Sequence, residues 1–374
     1  MRRWEQQDRR LQNITFFSLE IILKDFIKVI VEFYQDLRKA KMEGKKIKLA
    51  IGIGSTCEGC GIAILDLNEK ILDLASLADI VYWVLGLDFK LSDLEKFKEK
   101  EIDVSIHHGT IRTSEHVHVA HLLREKSKAL IAFGSCSCFG GIPGLCNVTT
   151  REEIFEVAYK QTPSTINPEF VTPQTKITQN GHDLTLPELY DEGRALSQVV
   201  DVDYYLPGCP PVVELIERLI PIIKDFLETG NLPAKGTVIA SEKTLCDECP
   251  LERENKMLDK IVRPHMIIPD PKRCLLEQGI MCMGPATRGG CGARCINVLM
   301  PCRGCMGPTA EVSDQGAKMI GAIASILGAE KEKDLSDEEI ERLMDQIKDP
   351  LGTFYRFTLP VASINKAFQK KGAK

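Results

Sequence analysis

The stretch IGIGSTCEGCGIAILDLNEKILDL, residues 51–74, joins an apolar strand to a helical pattern and places Cys57 and Cys60 at the junction. A Cys-x-x-Cys pair that follows a strand occurs in thioredoxin-like dithiols, in zinc sites and in iron–sulfur sites. The pair alone leaves these three kinds of site open. The choice depends on the other cysteines and on the strands that carry them.

Apolar runs typical of strands alternate with helical periods between residues 46 and 232. After the first strand at 47–54, further strands are predicted at 79–86, 102–109, 128–136 and 200–208, and helices at 60–76, 114–127 and 212–230. This alternation indicates right-handed βαβ crossovers and a parallel sheet that is covered on both faces. The predicted fold class is therefore α/β with a doubly wound parallel sheet.

Three of these predicted strands end at cysteines. Cys57 and Cys60 follow the first strand, Cys136 lies at the end of the fourth, and Cys209 follows the fifth. The carboxyl ends of parallel strands share one edge of a sheet, where ligands collect. We therefore expect four cysteines from three strand ends to converge on one site.

Residues 233–330 differ in character, with many glycines and prolines and little periodicity. Their eight cysteines are Cys246, Cys249, Cys274, Cys282, Cys291, Cys295, Cys302 and Cys305. We expect this stretch to fold around metal, because it has no way to build a core from side chains alone. Eight thiolates suffice for two four-cysteine sites. Structural zinc is the alternative, but zinc leaves the strand-end cysteines unexplained, so the pattern favours iron–sulfur clusters.

The bulk composition narrows the classes of function. The chain has 374 residues, of which 44% are hydrophobic and 27% charged, as in ordinary globular proteins. A net charge of −5 and an aromatic content of 6% do not suit a nucleic-acid surface, so no nucleic-acid partner is expected. Fourteen cysteines in so large a chain indicate metal ligation, and they favour the reducing cytoplasm.

Both ends of the chain lie outside these two predicted domains. Residues 1–45 are predicted to be an amphipathic extension, because charged residues interrupt the apolar run and exclude a signal peptide and a membrane span. The first 41 residues are either a docking helix or the result of an upstream start, with Met42 as the real initiator. Residues 331–374 are predicted to be a helical tail with Ser336 as an N-cap.

The ordered series CEGC, GSCSCFGG and LPGCPP, followed by a cysteine-rich domain, resembles the small subunit of the nickel–iron (NiFe) hydrogenases from about Lys46 to about Gly328. The stretches AFGSCSCFGGIPGL, GGCGARC and PCRGCMGP look most similar to the cytosolic methanogen type, which reduces methyl viologen but not deazaflavin. The resemblance implies a flavodoxin-like domain, a smaller irregular iron–sulfur domain, three 4Fe-4S clusters and a role in electron transfer. The catalytic nickel–iron site would lie on a separate large subunit.

The resemblance also implies which thiols hold each cluster. The proximal cluster falls to Cys57, Cys60, Cys136 and Cys209, the distal cluster to Cys246, Cys249, Cys274 and Cys282, and the medial cluster to Cys291, Cys295, Cys302 and Cys305. Many relatives have a histidine where Cys246 stands. The division of the last eight thiols stays open, because ferredoxin clusters can exchange a ligand between runs. Cys138 and Cys146 are left over and are predicted to act as small buried hydrophobic residues.

The implied partners are the hydrogenase large subunit, a small iron–sulfur subunit of the delta type and a heterodisulfide reductase complex, with no nucleotide or flavin on this chain. The irregular insertion between the fourth and fifth strands is assigned to partner contacts. Many relatives carry a glutamate shortly after the second cysteine of the first motif. Its absence after Cys60 leaves the proton route unassigned, and His107 and His108 are weak candidates for lining the proximal site or contacting the large subunit.

Three other functions stay open at this stage. The first is the small subunit of a deazaflavin-reducing hydrogenase or of a quinone oxidoreductase. The second is a zinc-binding structural protein. The third is a dithiol oxidoreductase that uses Cys57 and Cys60 alone.

Overall fold

A computed structural model describes residues 46–255, 258, 260–326, 336, 338, 341–342 and 345–365. The predicted amphipathic extension lies outside these residues, as does much of the predicted helical tail. The strands are β1 (Ile47–Ile53), β2 (Ala78–Trp83), β3 (Ile102–His108), β4 (Ile111–Thr113), β5 (Ser127–Phe133), β6 (Lys176–Gln179), β7 (His182–Thr185), β8 (Leu189–Arg194) and β9 (Tyr204–Leu206).

Five of these strands form one parallel sheet with the order β2-β1-β3-β5-β9. When these five strands are numbered among themselves, the order is 2-1-3-4-5, which is that of flavodoxin-like folds. The prediction of a doubly wound parallel α/β sheet is therefore confirmed. The central strands are apolar runs because the sheet is covered on both faces, and β1 is buried along most of its length.

The helices cover both faces of the sheet and continue into the carboxyl-terminal part. They are α1 (Gly59–Leu65), α2 (Ile71–Leu77), α3 (Leu91–Glu95), α4 (Ser114–Lys126), α5 (Gly134–Phe139), α6 (Arg151–Glu156), α7 (Val213–Glu217), α8 (Leu219–Thr229), α9 (Arg294–Asn297), α10 (Gln315–Ile326) and α11 (Pro350–Phe354). Helices α1, α7 and α8 share a core with Leu49 and Ile51, whereas α3 and α4 pack on the opposite face with Ala50. None of the described helices is long and apolar enough to cross a membrane.

Two predicted helices are interrupted, and each interruption has a local cause. The segment 60–76 divides into α1 and α2 because Asn68, between them, has a left-handed φ of 50°. The segment 212–230 divides into α7 and α8 at Arg218. Pro221 lacks the amide that would bond to Glu217, so a continuous helix would lose a hydrogen bond there.

The insertion between the fourth and fifth sheet strands contains structure that the lack of periodicity did not predict. Strands β6 and β7 form an antiparallel hairpin, and β8 pairs with β4. The hairpin turns at Asn180 and Gly181, whose φ values of 51° and 78° are both positive. An Asn-Gly pair is the preferred sequence for such a turn. All eight hairpin residues in β6 and β7 are exposed.

The cysteine-rich part contains an apolar core, so the expectation that side chains alone build none there was wrong. Leu245, Leu276 and Ile296 from this part pack with residues supplied by α10 and by the segment after it, among them Met319 and Leu359. Within residues 233–330, helix α10 already contributes Met319 and Ile323 to this core. The later part of the chain completes it.

An apolar cavity lies apart from the cysteines. It has a volume of about 500 Å³ and lies between the sheet and the helices α1, α2 and α8, with Lys46 and Trp83 in its lining. No cysteine of the described residues lines it. The cysteine sites must therefore be sought at the carboxyl edge of the sheet and in the second core.

Candidate metal centres

Four cysteines meet at the carboxyl edge of the sheet, as their places at strand ends predict. Cys57 and Cys60 follow β1, Cys136 lies in α5 directly after β5, and Cys209 follows β9. Cys60 interacts electrostatically with the other three thiols, and Cys136 interacts with Cys57 and Cys209. Cys60 is buried, whereas Cys57 and Cys209 are exposed. The first group therefore opens to the surface on one side.

Glycines let the backbone approach two of these sulfurs closely. A Cβ atom on Gly134 would lie 2.4 Å from Cys60 Sγ, and one on Gly141 would lie 2.4 Å from Cys136 Sγ. Both glycines have positive φ values, 79° and 57°. A larger residue would meet both a steric and a conformational barrier at either position. These glycines explain why the motif GSCSCFGG needs small residues at its two ends.

Burial opposes ionisation of the inner thiols of this group. Burial and the neighbouring thiols raise the pKa of Cys60 far above its usual range. Burial also raises the pKa of Cys136 to about 11, although hydrogen bonds from Thr110 and the Ile142 amide act in the opposite direction. A metal that binds here must displace the thiol protons and supply the positive charge that keeps the thiolates ionised.

A buried polar group lies directly behind the first cysteine pair. Glu58, between the two cysteines, has a left-handed φ of 66°, and its Oε1 lies 3.6 Å from Nε2 of His108. Burial raises the pKa of Glu58 and lowers the pKa of His108 to about 4. The imidazole is therefore neutral at pH 7. His107 is also fully buried, with Nδ1 3.1 Å from Ser137 Oγ, so both histidines lie behind the first group, inside the protein.

A second group of four cysteines surrounds a cavity in the carboxyl-terminal part. Cys246, Cys249, Cys274 and Cys282 line this cavity of about 330 Å³. Cys246 interacts electrostatically with the other three. Burial raises the pKa of Cys246 to about 12 and that of Cys282 to about 11. Backbone amides at Leu276 and Glu277 hydrogen-bond to Cys274 and lower its pKa, but burial outweighs them.

The third group contains the remaining predicted ligands. Cys305 interacts electrostatically with Cys291, Cys295 and Cys302. Burial raises the pKa of Cys305 to about 12. The amide of Gly304 donates to Cys302 Sγ at 3.4 Å. Amide-to-sulfur hydrogen bonds of this kind stabilise thiolates and tune the potential of a bound cluster.

The third group touches both of the others. The Cys302 amide donates to Cys282 Sγ of the second group at 3.4 Å. On the other side, the Cys209 amide hydrogen-bonds to Cys305, and the two thiols interact electrostatically. Ser135 Oγ also donates to the Cys305 carbonyl at 2.5 Å. The three groups therefore lie in a row, with the predicted medial group in the middle.

The two leftover cysteines have ordinary hydrogen-bond partners. Cys138 is 2% exposed and donates from Sγ to the Ala132 carbonyl at 3.2 Å. Its prediction as a small buried residue is confirmed. Cys146 is half-buried, and its Sγ lies 3.4 Å from Asn147 Oδ1.

Within the described ranges, no set of three or more cysteine, histidine or acidic side chains has the spacing to hold a single metal ion. The twelve thiols, their division into fours and the amide donors around them suit iron–sulfur clusters, which are commonly held by four cysteines each.

Comparison with known proteins assigns the chain to a family. Residues 57–221 match the family model described as NADH ubiquinone oxidoreductase, 20 Kd subunit. The chain is 38% identical over 330 residues to the iron–sulfur subunit of the F420-non-reducing hydrogenase of Archaeoglobus profundus, and the match covers 87% of this chain and 99% of that protein. It is 39% identical over 331 residues to the corresponding F420-non-reducing hydrogenase protein of Methanothermobacter thermautotrophicus, with coverage of 88% and 99%.

Solved structures show more distant similarity. The NiFeSe hydrogenase from Desulfovibrio vulgaris Hildenborough aligns over 71% of this chain and 95% of its own, with 17% identity and a TM-score of 0.46. The extensive match to the two F420-non-reducing hydrogenase proteins shows the family. The chain belongs to the family of F420-non-reducing hydrogenase iron–sulfur subunits and is the small subunit of a NiFe hydrogenase.

Proposed function

We propose that this chain carries electrons in a cytosolic NiFe hydrogenase, from the large subunit, where dihydrogen is oxidised, to an iron–sulfur acceptor subunit. Clusters of the 4Fe-4S type at the three cysteine groups would supply one-electron transfer. The observation that carries the proposal is the row of three thiol groups, joined by the hydrogen bonds from Cys302 to Cys282 and from Cys209 to Cys305. Electron transfer along a series of clusters requires neighbouring clusters to lie close together.

Each group has surroundings that suit its proposed place in the relay. The proximal group lies at the open edge of the sheet, where the exposed Cys57 and Cys209 can face a large subunit. In the medial group Cys302 is only 6% exposed, whereas Cys295 is exposed. The distal group borders a cavity that also includes the charged side chains of Arg253 and Glu277. Electrons would therefore enter at the sheet edge and leave at the distal group.

Backbone groups of this chain hold and orient the thiolates. Backbone amides donate to Cys274, Cys282, Cys291, Cys302 and Cys305. These donors offset part of the burial penalty, and they are fixed by short turns rather than by mobile side chains. Four cysteines at the medial position support a 4Fe-4S cluster there, because each iron then has its own thiolate.

The downstream partners follow from the resemblance to the methanogen enzymes. We propose a small delta-type iron–sulfur subunit as the direct acceptor and a heterodisulfide reductase complex beyond it. The relatives carry names that specify hydrogenases which do not reduce F420, and this favours the proposal over a deazaflavin-reducing enzyme. Hydrogen-dependent reduction of F420 by the purified complex would reverse that preference.

The decisive experiment is anaerobic purification with quantification of iron, sulfide and zinc, combined with electron paramagnetic resonance (EPR). Three clusters predict about twelve irons per chain. Four irons or fewer would contradict the three-cluster proposal, and a colourless protein with stoichiometric zinc would establish the structural alternative. A Cys209→Ser variant of the complex should then lose hydrogen-dependent dye reduction, since it removes a ligand at the entry to the relay.

A further inference from the structure

A short carboxyl-terminal segment crosses between the proximal and medial cysteine groups. We call residues 354–365 the C-terminal strap. It includes the buried side chains of Phe354, Thr358, Leu359 and Asn365, which are 0–3% exposed. The contacts of this strap reach segments beside both the proximal and the medial thiols.

One side of the strap holds the loop that follows Cys136. The amide of Gly141 donates to the Phe357 carbonyl at 3.0 Å. Pro360 fills the space beside Gly140 so closely that a Cβ there would lie 2.2 Å from the proline ring. Gln198 Nε2 donates to the Pro360 carbonyl at 2.8 Å. The strap thus restrains the backbone that places a proximal thiol.

The other side of the strap reaches the medial group through one buried glutamine. Thr358 Oγ1 donates to Gln315 Oε1 at 3.3 Å. Gln315 Nε2 donates to the Gly304 carbonyl at 3.0 Å and to Thr287 Oγ1 at 3.1 Å. The Gly304 amide in turn donates to Cys302 Sγ. A continuous series of hydrogen bonds therefore joins the strap to a medial thiol.

We propose that the C-terminal strap and Gln315 position the proximal and medial clusters relative to each other, so that the strap sets the first step of electron transfer along this chain. The inference rests on the proposed function, because it assumes clusters at these two groups. Gln315 and Thr358 are positioning residues, since neither touches a thiol itself.

Gln315 suits this role because a buried amide can donate twice and accept at once. At 3% exposure, its donor and acceptor atoms have no access to bulk water. A leucine of similar size would leave the Gly304 carbonyl and the Thr358 hydroxyl without their partner. Buried polar groups that lose their partners favour local opening. The turn that holds Cys302 is the first element that such opening would move.

The test compares Gln315→Leu and Thr358→Val with a matched control, in the anaerobic complex of this chain with its large subunit. The control is Thr229→Val, which makes the same chemical change as Thr358→Val at the exposed end of α8, where the Thr229 hydroxyl donates to the Asp225 carbonyl at 2.9 Å. Thr358→Ser keeps the hydroxyl and should behave like the native chain. If Gln315→Leu fails to fold, the milder Thr358→Val variant still decides the question.

Two readouts other than activity are used. Hydrogen exchange by mass spectrometry should become about tenfold faster in peptides that contain Gly141 and Gly304, the ratio expected for the loss of one buried hydrogen bond. The EPR spectra of the reduced complex should show a changed magnetic interaction between the proximal and medial clusters and a shifted medial potential. Dye reduction should fall several-fold while isotope exchange at the large subunit is retained.

The outcomes separate the two proposals. If the native chain holds fewer than three clusters, the proposed function fails, whatever the variants do. If three clusters are present and both strap variants match Thr229→Val in exchange and in EPR, the strap has no positioning role. A change in exchange without any change in the spectra would also overturn the inference, because the strap would then be structural only.

Discussion

Replacing Gly134 with alanine is predicted to disable the proximal group and to leave the other two intact. Gly134 has a φ of 79°, and a Cβ atom there would lie 2.4 Å from Cys60 Sγ. Because ordinary contacts between such atoms are about 3.5–4.0 Å, the thiol or the backbone must move by about 1 Å or more. Neither has room, since Cys60 is only 7% exposed. A thiolate displaced by that distance can no longer complete a four-cysteine site.

Gly230 provides a control with a similar positive φ and no crowding. Its φ is 76°, and a Cβ atom there would meet nothing within 4 Å. Both substitutions incur the cost of a left-handed alanine, about 1–2 kcal/mol. Only Gly134→Ala adds the clash with a sulfur. The difference between the two variants therefore isolates the effect on Cys60.

The assay is iron and sulfide content with EPR on the anaerobically purified chain, together with thermal unfolding. We expect Gly230→Ala to keep about twelve irons and Gly134→Ala to keep about eight, because one four-iron cluster is lost. Only Gly134→Ala should lose hydrogen-dependent dye reduction. If Gly134→Ala retained twelve irons and full activity, Cys60 would not be held where the structure has it, or would not be a ligand.

Three further predictions test individual side chains. Cys60→Ala should lose four irons, whereas Cys138→Ala should keep all of them and lose only about 1 kcal/mol of stability, as for other small deletions in a core; metal analysis and thermal unfolding distinguish the two. Burial lowers the pKa of His107 to about 3, whereas the pKa of histidine in the unfolded chain is about 6.5. The neutral buried imidazole therefore contributes fully to the free energy of unfolding above pH 6.5. Below that pH this contribution is lost at about 1.4 kcal/mol per pH unit. The free energy of unfolding of His107→Gln should therefore depend less on pH between 6.5 and 5 than that of the native chain. His118→Gln, on an exposed helix face, should not show this difference. Cys246→His should retain the iron and raise the distal potential in a redox titration, because imidazole replaces a thiolate.

Local sequence signals were enough to predict the sheet and the cysteine edge. Apolar runs at β1, β3 and β5 are long, and each is followed by a glycine or cysteine motif, so both the strands and the edge they share were evident. The fifth sheet strand was predicted at 200–208 but spans only Tyr204–Leu206. Residues 201–203 precede the strand and are not part of it. The carboxylate of Asp203 accepts a hydrogen bond from the Leu130 amide and forms ion pairs with Arg124 and Lys235.

Structure that depends on distant residues was not predicted. The hairpin of β6 and β7 had a usable signal in Asn180-Gly181, but its strands are polar and exposed and therefore show no apolar period. The second core had no such signal. Met319 and Leu359 complete a core with residues such as Leu245, and nothing in their spacing shows that they meet. The strap went unpredicted for the same reason.

The pair Cys57 and Cys60 illustrates how structure decides between chemistries that a motif leaves open. A dithiol oxidoreductase needs a thiol with a lowered pKa, because the thiolate is the attacking species. In the structure, however, Cys57 and Cys60 are not an isolated pair, because burial and the thiols of Cys57, Cys136 and Cys209 together raise the pKa of Cys60. The same environment favours a bound cation, since several buried thiols can ionise together only when positive charge is present among them. The gathering of three further thiols around Cys60 therefore favours metal ligation over exchange chemistry within a single pair.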